Sequence, residues 1–234
     1  MEDSYDTDDY NTDDTYMYWY CIDKGIIPDD AKIFDCTDCD LTELTLKLPK
    51  KLIGLDCNKN NFEVLMELPT SLRVLSCWGN KLIKLPEILP EYLIKLYCSC
   101  NILASLPKLP LSLVILSCDT NKLSELPELP QSLLELYCLH NELQYIPVLP
   151  EYLEILDCSY NKLIELPELP DGLEGLYCTN NNIKYLSRNN VKVITNIICN
   201  FGCELGSELG ILKNPVSDGF TNNSEFKAYL DENL

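Results

Sequence analysis

Residues 113–132 read LVILSCDTNKLSELPELPQS. The same phrase returns along most of the chain: 72–80 is LRVLSCWGN and 153–161 is LEILDCSYN. The cysteine marks the period. Cys36, Cys57, Cys77, Cys98, Cys118, Cys138, Cys158, Cys178 and Cys199 follow one another at intervals of 21, 20, 21, 20, 20, 20, 20 and 21 residues. A fixed period of this length predicts a solenoid, in which each unit buries its apolar face against its neighbours.

Within a unit the leucines fall five and two residues before the cysteine, as in Leu52/Leu55, Leu93/Leu96 and Leu133/Leu136. Leucine and cysteine separated by one residue have the period of a strand with one buried face. Three residues after the cysteine comes Asn60, Asn80, Asn101, Asn121, Asn141, Asn161 or Asn181. Where a strand turns, backbone groups are buried without partners, and an inward amide satisfies donors and acceptors alike. Cys39 takes this slot in the first unit. Next comes a proline pair, such as Pro107/Pro110 or Pro127/Pro130, reduced in the first two units to Pro49 and Pro69. Proline at this spacing blocks an α-helix and favours extended or polyproline II backbone. The outer side of each coil is therefore expected to be extended.

The cysteine ladder reads as structural. An inward thiol behaves as a small hydrophobe, and apolar surroundings make it inert. Cys36-Thr-Asp-Cys39 has metal-site spacing, but it coincides with two slots of the repeat, no second such pair follows, and His140 is the one histidine. No metal or cofactor is expected. Cys21, Cys100 and Cys203 lie off the ladder, and Cys100 is expected to point outward as the most reactive thiol. Thirteen cysteines, an odd number, with nine of them in core slots, predict free thiols in a reducing, intracellular compartment.

The ends differ in character. Residues 1–15 (MEDSYDTDDYNTDDT) are too acidic and polar to order themselves and read as a disordered tail. Residues 16–33 are richer in aromatic and aliphatic side chains and read as an N-terminal cap. The repeats occupy 34–200, eight to nine units. Residues 201–234 read as a C-terminal cap with a helix over 224–233, Ser224 at its N-cap and Phe226, Tyr229 and Leu230 on one face.

A net charge of −19 and a pI near 4.3 oppose binding to nucleic acid or an anionic membrane. The N-terminus lacks a basic segment followed by an apolar run, so no signal peptide is expected, and no stretch is apolar enough to span a bilayer.

Because the cysteine faces inward, the residues three before, one before and one after it face outward. A solvated sheet face should be polar there. Instead the positions include Trp78, Tyr97, Tyr137 and Tyr177, with Val74, Ile115, Leu139 and Ile155, and the charged Asp56, Lys95, Asp119, Glu135 and Asp157. Aromatic rings with polar tips are typical of interface hot spots. These thirteen residues are the candidate contacts for a protein ligand. No nucleophile–base pair, phosphate loop or paired carboxylate constellation is visible, so a non-catalytic protein is expected.

The phrase LxxLxCxxNxLxxLPxLPxx resembles the leucine-rich repeat in its short, bacterial-type "LPX" class. The resemblance implies a right-handed horseshoe with a parallel sheet on the concave face, an extended convex side and little helix except at the caps. Type III secreted effectors of bacterial pathogens and leucine-rich repeat proteins of giant DNA viruses carry this class. The cysteine in place of Val or Leu, with Asn-, Asp- and Tyr-rich flanks, looks more like the viral set. Some bacterial effectors add a large ubiquitin-ligase domain, for which residues 201–234 are too short, so ligase activity is not carried over. The resemblance leaves three roles open: a protein-binding effector, a substrate-recognition arm acting with ubiquitin machinery in trans, and a structural protein without a specific ligand. A monomer or weak dimer is expected.

Overall fold

The computed structural model describes residues 27–65, 67–183 and 186–201. Eight three-residue strands lie in it: β1 (Ile33–Asp35), β2 (Gly54–Asp56), β3 (Val74–Ser76), β4 (Lys95–Tyr97), β5 (Ile115–Ser117), β6 (Glu135–Tyr137), β7 (Ile155–Asp157) and β8 (Gly175–Tyr177). They pair in parallel, in chain order, as one sheet. The register stacks like on like: Leu55, Leu75, Leu96, Leu116, Leu136, Leu156 and Leu176 form one column. Leu116, Cys118 and Leu123 are fully buried, and the leucines beside the prolines, Leu126 and Leu129, close the far side of the same core.

The strands are short because the asparagines end them. In this sheet Val74 donates its N–H to Ile53 O at 3.0 Å, the carbonyl before its register partner. Continued along the strand, that pattern would send the Trp78 N–H to Cys57 O. Asn80 Nδ2 takes that carbonyl instead, at 3.0 Å, and also reaches Cys77 O at 3.1 Å. Its Oδ1 accepts from Phe62 N at 3.1 Å. Asn141 repeats the arrangement on Cys118 O, Cys138 O and Leu123 N at 3.1, 3.1 and 3.0 Å. Each buried amide thus joins two coils through both its donor and its acceptor.

Past the cysteine the chain leaves the sheet through a left-handed residue, always two positions on: Asp38, Lys59, Gly79, Cys100, Thr120, His140, Tyr160 and Asn180, with φ between 49° and 68°. Only Gly79 is the residue type that adopts this conformation without cost. The return to the next strand is a tight turn from the second proline, as in Leu133 N to Pro130 O at 3.0 Å. Ser71, Ser112 and Ser132 sit in this turn and donate to carbonyls of the preceding coil, Ser132 to Leu111 O at 2.8 Å and Leu113 O at 2.6 Å. No helix interrupts the proline-bearing side between Ile27 and Ile183 among the described residues.

The ladder stops one unit early. Cys199 keeps the spacing but lies in helix α1 (Arg188–Phe201), so the expected repeat range of 34–200 ends in a helix rather than a ninth strand. The segment before it carries no proline turn. Ser187 instead caps the helix, accepting from Asn190 N at 3.1 Å. Asn190, buried, accepts from Leu169 N at 2.9 Å and donates to Pro167 O at 2.9 Å, and Val193 and Ile194 pack on the core. The tail 1–15, most of the 16–33 cap and the helix expected over 224–233 lie outside the described residues. No helix among the described residues is long and apolar enough to cross a membrane.

Candidate functional site: the open face of the sheet

One sheet face packs on the leucine and cysteine core. The other presents three columns, three before, one before and one after each cysteine. The middle column runs Asp35, Asp56, Ser76, Tyr97, Ser117, Tyr137, Asp157, Tyr177, in register across all eight strands. Neighbouring strands are about 4.8 Å apart, so adjacent members of a column are within side-chain reach.

Much of the polar content of this face serves the backbone. When an asparagine amide takes the cysteine carbonyl, the N–H one residue after the next unit's cysteine loses its ladder partner. A face side chain supplies one in five units, and another serves the Thr37 N–H of the first coil. Asp35 Oδ1 accepts from Thr37 N at 2.9 Å, Asp56 Oδ1 from Asn58 N at 3.2 Å and Asp157 Oδ1 from Ser159 N at 3.0 Å. Asn58 Oδ1 accepts from Trp78 N at 2.9 Å, Ser99 Oγ from Asp119 N at 3.0 Å and Asp119 Oδ1 from Leu139 N at 3.1 Å. An unpaired buried N–H costs about 1–3 kcal/mol, so these side chains are part of the fold.

Asp119 is the extreme case, at 9% exposure. Its Oδ2 accepts from Ser99 Oγ at 3.2 Å and from Ser117 Oγ at 3.1 Å, and the two hydroxyls are 2.7 Å apart. Burial pushes its carboxyl up to about 6; these hydrogen bonds pull the other way, and Asp157 adds to the rise. Asp56 is raised as well, by burial, against hydrogen bonds from Thr37 and Asn58. Asp119, expected as a contact residue, is thus too buried to touch a partner directly.

The other candidates stay partly open. Val74, Trp78, Lys95, Tyr97, Ile115, Glu135, Tyr137, Leu139, Ile155 and Asp157 are half-buried, and Tyr177 is 42% exposed. Lys59 Nζ stands 5.1 Å from the Trp78 ring centre. Tyr137 donates its hydroxyl to Glu135 Oε2 at 2.9 Å; burial, and that carboxylate, push the phenol well above its usual range. The Tyr177 ring lies over its own strand: a Cβ on Gly175 would be in ordinary contact with it at 3.6 Å and with Ile155 at 3.7 Å. The ladder thiols lie beneath this face, and burial pushes Cys57, Cys77, Cys118, Cys138 and Cys158 far above the ordinary range and Cys178 to about 12. Cys100 is exposed. Among the described residues, no group of three or more His, Cys, Asp or Glu side chains converges as a metal site.

Sequence reasoning did not single out Asn58, Ser99 and Ser117 as partners of the acids. The signal was present as small polar residues beside the cysteines. Their role depends on which carbonyl a neighbouring coil has taken.

No family model matches the chain, and no curated protein does. Solved structures do. YopM, a leucine-rich effector protein from Yersinia pestis, is 36% identical over 67% of this chain, with a TM-score of 0.64. YopM from Yersinia enterocolitica WA-314 is 31% identical over 70% of this chain, with a TM-score of 0.56. This chain covers 45% and 41% of those two proteins. The leucine-rich repeat domain of FLRT2, in a complex with Latrophilin 3 and Unc5D, shares the fold at 19% identity, covering 73% of this chain and 74% of that one, with a TM-score of 0.53. The chain is therefore a leucine-rich repeat solenoid with a parallel eight-stranded sheet.

Proposed function

We propose that this protein is a non-catalytic interaction scaffold that holds a protein ligand on the open, concave face of its sheet, in the manner of a pathogen effector. The observation that carries the reading is the face itself. Besides Asp35, Asp56, Asn58, Ser99, Asp119 and Asp157, whose side chains serve the backbone, the outward columns from β3 to β8 carry Val74, Trp78, Tyr97, Ile115, Tyr137, Leu139, Ile155 and Tyr177, all partly exposed and in register, together with the charged Lys95 and Glu135. Rigid rings at fixed spacing lose little entropy on binding, which suits them to anchor a partner. The likeness to YopM supports the effector role, and the proline-paired units support assignment to the short LPX class. The free cysteines of the described residues support an intracellular, reducing setting.

The test is a quadruple variant, W78A/Y97A/Y137A/Y177A, compared with wild type in affinity capture from host lysate, with melting temperature as the folding control. The scaffold reading predicts that a stoichiometric protein captured by wild type is lost from a variant that still melts cooperatively. Capture at unchanged affinity would refute it.

A further inference from the structure

The open face is electrically divided. On β1–β4, Lys95 lies on the face and Lys32, Lys59 and Arg73 lie at its margins, beside the acids Asp35, Asp38 and Asp56. From β5 to β8, no Lys or Arg lies between the leucine five before the cysteine and the residue two after it. That half carries Glu135 and Asp157 on the face, Asp119 beneath it, and Glu154 and Glu174 exposed where strands begin. His140 lies at its margin, stacked on Tyr160 with ring centres 4.1 Å apart.

Within this half the register places Asp157 between two tyrosines, Tyr137 on β6 and Tyr177 on β8. Each ring leans over its own strand, Tyr137 through its hydrogen bond to Glu135 and Tyr177 beside Gly175. Two strand spacings, about 10 Å, separate Tyr137 from Tyr177 in this column. A cationic side chain laid over Asp157 has an aromatic side chain on either flank, and ring faces attract cations within ~6 Å. Asp157 uses Oδ1 for the Ser159 N–H, which fixes the carboxylate on the strand between the two tyrosines.

We propose that Tyr137, Asp157 and Tyr177 seat a Lys or Arg side chain from an extended basic segment of a protein partner docked across β6–β8. This rests on the open-face reading and names the chemistry of its ligand. Charge complementarity argues for it: a basic segment on β6–β8 meets acids without competing bases, whereas on β1–β4 four bases in and beside the face offset its three acids. Aromatic walls favour a side chain with a planar or alkyl body behind its charge.

The test is an NMR titration of the full, ¹⁵N-labelled chain at low salt with two probes, an alternating Gly-Arg octapeptide and an alternating Gly-Glu octapeptide. The expected result is binding of the basic probe alone, with shifts centred on the amides of Tyr137, Asp157 and Tyr177. D157N keeps the acceptor for Ser159 N, so it folds, and it should weaken the basic probe about fivefold. E128Q, exposed on the proline side, should leave affinity unchanged. Equal binding of both probes, shifts centred on the acidic residues 1–15, or full affinity in D157N overturns the cation seat. Shifts centred on β1–β4 overturn the seat but leave the open-face reading intact. Shifts confined to the proline side overturn both.

Discussion

Asp119→Asn should make the protein more stable at neutral pH. The wild-type carboxyl is buried, and burial lifts it to about 6 from an ordinary 3.8 despite its hydrogen bonds to Ser99 and Ser117. A carboxyl raised by folding binds its proton more tightly in the native state. Its stabilising contribution is complete below the unfolded value, near 4, and is lost as pH rises through about 6. A rise of about two units corresponds to about 3 kcal/mol lost by pH 7. Asparagine keeps an oxygen for the Leu139 N–H, and its amide has the Ser99 and Ser117 hydroxyls as acceptors. Asn58 already fills the same slot, accepting from Trp78 N and from Ser76 Oγ at 2.8 Å. Urea unfolding of both proteins at pH 4, 5, 6 and 7 measures the effect. The variant should gain up to about 3 kcal/mol at pH 7 and almost nothing at pH 4. A difference that does not change with pH, or a variant that is less stable at pH 7, would refute the reasoning.

The left-handed residue two after each cysteine gives a second prediction: Thr120→Gly, at φ 51°, should raise stability by about 0.5–1 kcal/mol in urea, and a loss would contradict the assigned strain. Asn141→Ala removes the partners of Cys118 O, Cys138 O and Leu123 N, so a loss of at least about 3 kcal/mol is expected in the same assay, whereas a loss under ~1 kcal/mol would mean the amide is dispensable. Brief alkylation followed by peptide mass spectrometry should modify Cys100 in the native protein while Cys57, Cys77, Cys118, Cys138 and Cys158 react only after unfolding. Native labelling of the ladder at the Cys100 rate would show that the coils open.

The Leu, Cys, Asn and Pro positions were legible in the sequence because each does the same job in every coil, and repetition makes a one-dimensional signal of a core. Three things were not. The face acids looked like ligand contacts, since nothing along one chain segment shows that Asn80 takes Cys57 O from Trp78 N and leaves Asn58 to replace it. The left-handed turn was hidden because Lys59, Thr120, His140 and Tyr160 occupy positions where glycine would have announced it. Cys199 kept the period by spacing alone. Without a proline turn before it, and with Ser187 to cap a helix, the local chain folds differently. For the site, half of the column one after the cysteine is buried, Asp119 included, and the Tyr137–Asp157–Tyr177 grouping emerges only when neighbouring strands are laid side by side.

Whether the open face is where a partner rests is tested most directly by site-specific photo-crosslinking. A photoreactive amino acid is placed singly at Tyr137 or Tyr177 on the face, and at Glu128 or Glu168 on the proline side. The account predicts one covalent adduct of a single partner mass from the two face positions and none from the two proline-side positions. Adducts from the proline side alone, or equally from both sides, would contradict it.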